Sequence, residues 1–130
     1  MSTSMRNTVA WVLQVLLGLA FLAFGVKKFT DLPATVGMFT SMGLPGALAS
    51  VIAGAEVLGG IGLLIPRFTR LAALGLVLVM VGAVSMHATT IPGGLANGVP
   101  ALVLLALLAL VLWLRRPAPA NGVASASLRA

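Results

Sequence analysis

Very few side chains in this sequence can do chemistry. There is one glutamate, Glu56, one aspartate, Asp31, one histidine, His87, and no cysteine or tyrosine. Glu56 stands in the apolar stretch VIAGAEVLGGIGLL, residues 51–64. An ionisable group at the centre of a membrane costs at least ~2.5–3.5 kcal/mol, which makes it a functional-site candidate by default. Lys28, after the first apolar run, and His87, at the end of the third, are the candidates to join Glu56 in a buried polar site. A carboxyl and an imidazole can both exchange protons, and the ammonium can hold the carboxyl ionised or steer anions. The competing reading of Glu56 is a protonated carboxyl, hydrogen-bonded to a backbone carbonyl or to Gln14, that only glues helices. Lys28 and Arg70 read equally as charged flanks of apolar runs, and His87 as an interfacial residue. Other chemistries are excluded. Without cysteine there is no disulfide, thiolate metal site or thiol exchange, and one histidine with two distant carboxylates makes a poor metal site. The glycines of GGIGLL lie inside an apolar run, not between a strand and a helix, so they cradle no phosphate.

These residues must be positioned by four apolar runs, at about residues 8–26, 47–65, 71–87 and 99–114. The chain is 60% hydrophobic and only 8% charged, too apolar to cover a soluble domain of 130 residues. Crossing ~30 Å of hydrocarbon takes roughly 20 helical residues, which the first two runs supply and the last two reach by borrowing neighbours. Strand-length alternation is absent, so a β-barrel does not fit. The expectation is an all-α integral membrane four-helix bundle over residues 1–116, followed by a disordered cytoplasmic tail over 117–130 rich in Pro, Ala and Ser. The first run is too long for a signal peptide core and reads as a retained span. With the N-terminus inside, the inner face collects Arg6, Arg67, Arg70, Arg115, Arg116 and Arg129, against Lys27 and Lys28 outside. Both termini are therefore expected in the cytoplasm, and the net charge of +6 serves topology, not nucleic acid. A short interfacial helix is expected near Ala34–Met42 with Pro33 at its start, and Asn97 is expected to cap the fourth helix.

At about 100° per residue, Gln14, Gly18, Phe21, Gly25 and Lys28 share one stripe of the first helix, with Lys27 opposite Lys28. Ala49, Ala53, Glu56, Gly60 and Leu63 share a face of the second. Small residues mark close helix contacts in lipid, so both stripes should face the bundle. Gly75 and Gly82 share a face of the third helix, with His87 roughly 120° away. Counting ~1.5 Å per residue from the outer boundary places His87 about 6 Å, Glu56 about 14 Å and Gln14 about 20 Å below Lys28, a stepped polar series.

FLAFGVKKF, SMGLPGALA, GAEVLGGIGLLI followed by RFTRLAAL, and a histidine closing the third span occur here in that order. Together they resemble the DoxX family of small four-helix bacterial membrane proteins, over about Leu16–His87 and the fourth run. The resemblance places emphasis on Gly25, Lys28, Glu56, Gly59, Arg70 and His87, where Gly25 and Gly59 read as packing positions or cofactor contacts; Gln14, singled out by spacing alone, is the third candidate cofactor contact. It implies a multi-pass protein of the bacterial inner membrane, at most the membrane subunit of an oxidoreductase, working beside other membrane or soluble redox proteins. A quinone is the cofactor that an apolar bundle with one carboxyl and one imidazole could hold. The function expected is an accessory subunit of a quinone-linked redox complex. The alternatives are a small oligomeric transporter or permeability protein and a scaffold without catalytic activity.

Overall fold

The computed structural model describes residues 2–117 apart from Pro92, and the described residues contain helices and no strand. Six α-helices follow one another: α1 Thr3–Thr30, α2 Leu32–Ser41, α3 Ala47–Leu64, α4 Thr69–Thr89, α5 Gly94–Asn97 and α6 Val99–Leu114. A single 3-10 turn, Pro66–Phe68, joins α3 to α4. The tail expected from residue 117 lies, from residue 118 onward, outside the described residues.

Prolines set the breaks. Pro33 would lose a hydrogen bond and clash with the carbonyl four residues back if α1 ran on, so the chain turns at Asp31 and restarts as α2 with Pro33 in its first turn. Pro66 acts likewise after α3, with Ile65 left extended. At the other end of α1, the Ser2 hydroxyl accepts from the Met5 amide at 3.1 Å and closes the helix start. The short helix expected near Ala34–Met42 is thus α2, and the fourth apolar run is α6. Its N-cap is Gly98, not Asn97: Asn97 is taken up in the short helix α5, one residue earlier.

The four longer helices enclose one core. α1 lies against α3 and α6, and α4 against the same two. Leu17, Phe21, Leu63, Leu76, Leu108 and Val111 fill the middle. Outside, Leu58, Leu71 and Leu78 are each at least 70% exposed. That much apolar surface suits acyl chains and not water. α1, α3 and the segment Pro66–Thr89 are long and apolar enough to cross a membrane, while α6 is apolar but only 16 residues long. At ~1.5 Å per residue, α6 spans about 24 Å.

α1 and α3 meet backbone to backbone. A Cβ on Gly60 would stand 2.7 Å from the Gly18 carbonyl oxygen, and one on Gly25 would stand 2.8 Å from that of Ala53. Both expected stripes are buried: Gln14, Gly18, Phe21 and Gly25 on α1, and Ala49, Ala53, Glu56, Gly60 and Leu63 on α3. α4 is different. Gly75 and Gly82 are exposed with open space beside them, and the buried face is Thr69, Ala73, Leu76 and Met80. The notches of that contact belong to α3, where Gly59 receives Leu76 and Gly62 receives Ala72. One glycine-bearing partner suffices for close approach, so the glycines of α4 are not needed at the interface.

Candidate functional site

The contact between α1 and α3 sets the height of Glu56. Gly25 lies level with Ala53 and the Val57 amide. Glu56 is therefore about one helical turn below Lys28, roughly 5 Å, and not the ~14 Å that counting from the helix ends gives. α3 starts well above the level at which Lys28 leaves α1, which the run lengths alone do not reveal.

At this height the two charges meet. Lys28 Nζ stands 2.7 Å from Glu56 Oε1. The glutamate side chain is 3% exposed and the lysine side chain 26%. Lys27, about 100° away around α1, is exposed. The ammonium is close to Oε1, but no donor meets that oxygen in hydrogen-bond alignment. The contact is thus an ion pair with acceptor capacity left on the carboxylate. Phe24 flanks it, its ring centre 6.0 Å from Nζ. α2 is tied beside it: the Thr35 hydroxyl donates to the Asp31 carbonyl at 3.0 Å and reaches the Lys28 carbonyl at 3.4 Å. The accessible member is Lys28, so a polar group arriving from this end meets the ammonium before the carboxylate.

The other sequence-derived candidates lie elsewhere. Gln14 is fully buried and bound at the opposite end of the core. Its Nε2 donates to the Leu63 carbonyl at 2.9 Å and to Thr69 Oγ1 at 3.1 Å, and its Oε1 accepts from Arg115 Nε at 2.7 Å. One amide so joins α1, α3, α4 and the end of α6, and both of its N–H groups are used. It is no partner of Glu56. Arg70 Nη1 donates to the carbonyls of Leu112 and Arg115, at 3.1 and 3.2 Å, and satisfies the orphan carbonyls at the end of α6. Gly25 and Gly59 are filled by neighbouring helices, Gly25 by Val57 and Gly59 by Leu76. His87 packs on the buried Gly98, where a Cβ would stand 2.8 Å from its own, and its Nδ1 is buried without a hydrogen-bond partner. No hydrogen bond or ion pair joins His87 to Glu56 or Lys28 among the described residues.

Sequence reasoning did not anticipate the cluster around Gln14. Arg115 also donates to Asn7 Oδ1 at 2.8 Å and lies over the Trp11 ring, 5.5 Å from its centre. The signal was present, since Asn7, Trp11 and Gln14 recur at helical spacing, but their partner is 101 residues from Gln14.

An apolar groove of about 470 Å³ runs between α3 and α4, lined by residues including Leu58, Gly59, Phe68 and Gly75. Neither Glu56 nor His87 is on its wall. A site in which both groups flank one quinone does not fit this arrangement. The groove suits an apolar tail and offers no charged group to a polar head.

Compared with known proteins, residues 9–89 match the DoxX family model. That is more than half of the chain, and the chain belongs to the DoxX family. A curated relative from Bacillus subtilis (strain 168), named "Putative oxidoreductase CatD", is 34% identical over 73 residues, 56% of this chain and 54% of the relative. The chain thus spans about half the length of that relative. No solved structure matches it. Lys28, Glu56, Gln14, Arg70 and His87 fall within the matched region, while α6 and Arg115 fall outside it.

Proposed function

We propose that this DoxX-family membrane protein is an accessory membrane subunit of a quinone-linked redox complex, with α1, α3, α4 and α6 crossing the bacterial inner membrane as a four-helix bundle and both termini in the cytoplasm. The observation that carries the reading is the Lys28–Glu56 ion pair, a carboxylate almost wholly removed from solvent and held by one accessible ammonium. Structural glue alone does not call for this pairing, because a buried pair is seldom better for stability than apolar residues of the same shape. The oxidoreductase name of the relative supports the redox assignment. The six-to-two distribution of Arg and Lys supports the orientation. With no cysteine in the chain, thiol redox steps belong to a partner.

In this reading the chain's own part is charge and proton control. Lys28 donates to a polar group arriving at the outer end of the bundle and, in doing so, loosens its hold on Glu56. Glu56 then takes or gives a proton at Oε1 in a site from which water is excluded. His87 and Arg70 take no direct part in that exchange. The test uses membranes from a host deleted for this chain and complemented with the wild type or with Glu56→Gln. Quinone-linked turnover falls in the variant at equal protein level. Wild-type turnover with Glu56→Gln overturns the reading.

A further inference from the structure

The end of the bundle opposite the ion pair carries charge that no acidic side chain among the described residues neutralises. Arg6, Arg115 and Arg116 line a recess of about 690 Å³ between the start of α1 and the end of α6, together with Thr3, Ser4 and Asn7. Each guanidinium is held by neutral acceptors. Arg6 Nε donates to the Leu114 carbonyl at 3.1 Å, Arg116 Nη1 to the Trp113 carbonyl at 2.7 Å, and Arg115 to Gln14 and Asn7 as described. Trp rings support them as well, Trp113 lying 4.5 Å from the Arg116 guanidinium and 6.0 Å from that of Arg6. A guanidinium has five N–H groups, and these bonds occupy one, two and one of them on Arg6, Arg115 and Arg116. Among the described residues, the remaining donors have no side-chain carboxylate to meet. The chain has two acidic residues, of which Glu56 is spent on Lys28 and Asp31 follows the far end of α1.

We propose that this recess binds a phosphodiester, supplied by the headgroup of an anionic phospholipid. Three planar cations converge on one polar recess with no acidic side chain among the described residues that line it, and forked guanidinium donors match phosphate oxygens in pairs. The rim fits a lipid better than a free anion. Trp113, which lies against the Arg6 and Arg116 guanidinium groups, is 52% exposed, so acyl chains continue along the helices while the phosphate sits among the arginines. The bound phosphate would lock α1 to the end of α6 across the same seam that Gln14 closes from within. This inference is independent of the redox proposal, which concerns the other end of the bundle.

The experiment is native mass spectrometry and thermal melting of the purified full chain in a neutral detergent, titrated separately with dioleoylphosphatidylglycerol, dioleoylphosphatidylcholine and inorganic phosphate. Phosphatidylglycerol is retained and raises the melting temperature; phosphatidylcholine and inorganic phosphate at the same concentration do not. Arg6→Gln and Arg116→Gln each weaken phosphatidylglycerol retention about fivefold. Arg67→Gln, in the turn between α3 and α4, removes the same charge outside the recess and leaves retention unchanged. Should Arg6→Gln fail to fold, Arg116→Gln decides the matter, because its one hydrogen bond runs to a carbonyl three residues back. Equal retention of both lipids, an equal effect of inorganic phosphate, or an equal loss with Arg67→Gln would overturn the assignment.

Discussion

Removing Lys28 and removing Glu56 have unequal consequences, and the inequality follows from burial. At 2.7 Å, the gross attraction between the charges is about 6 kcal/mol with an effective dielectric constant of ~20. Most of this is offset by desolvation, so the pair itself adds little net stability. Breaking the pair is another matter. In Lys28→Met the glutamate, 3% exposed, cannot turn to water and stays as an uncompensated charge in the core. The loss is about 3 kcal/mol, the lower end for a broken buried pair, because the lysine side of the pair is already a quarter exposed. In Glu56→Gln the lysine stem can bend outward and carry its ammonium to the headgroups, so the loss falls to about 1 kcal/mol. The double variant Lys28→Met with Glu56→Gln loses only about 2 kcal/mol where the two single losses sum to about 4, a coupling of about 2 kcal/mol across the cycle. The assay is unfolding in mixed micelles at rising dodecyl sulfate, followed by helical circular dichroism. A Glu56→Gln loss equal to or larger than that of Lys28→Met would refute the reasoning, since it would mean that the carboxylate is not the trapped member of the pair.

Two further predictions concern packing. Gly25→Ala places a methyl group 2.5 Å from Val57 Cγ2 and 2.8 Å from the Ala53 carbonyl oxygen, so α1 must lift from α3; it costs about 1–3 kcal/mol in the same assay. Gly75→Ala meets nothing within 4 Å and is neutral or stabilising by up to about 1 kcal/mol through helix propensity. At the other end, Gln14→Leu strands the Leu63 carbonyl and one donor of Arg115, and lowers stability by about 2 kcal/mol while leaving the Lys28–Glu56 pair intact.

What the sequence disclosed followed from features internal to one helix. The stripes through Gln14 and Gly25 on α1, and through Ala53, Glu56 and Gly60 on α3, needed only the 3.6-residue period, and both are buried as that period requires, with Lys28 half-buried at the end of the first. The short helix α2 was legible from Pro33, and the apolar run over 99–114 coincides with α6. What remained hidden depends on how one helix slides against another. Counting from the helix ends sets Glu56 about 9 Å too far below Lys28, because the axial offset is set by Gly25 seating on Ala53 and Val57. Gln14 was placed in the same polar series as Glu56, whereas its partners are Leu63, Thr69 and Arg115. The packed face of α4 was hidden for a similar reason. Its own glycines, Gly75 and Gly82, face outward, and the glycines that shape its contact belong to α3.

The composition of the chain allows the ion pair to be measured directly. Glu56 is the one glutamate, and Lys27 and Lys28 are the two lysines. A chain labelled with ¹³C at the glutamate side-chain carboxyl and ¹⁵N at the lysine ammonium, reconstituted in lipid, gives one carbon signal to be dephased by nearby nitrogen in solid-state NMR. The structure predicts strong dephasing that corresponds to about 3–4 Å between Glu56 Cδ and a lysine nitrogen, the value implied by hydrogen-bond-range contact, and its loss in Lys28→Met but not in Lys27→Met. A carboxyl carbon undephased beyond about 6 Å, or dephased equally after Lys28→Met, would contradict the account.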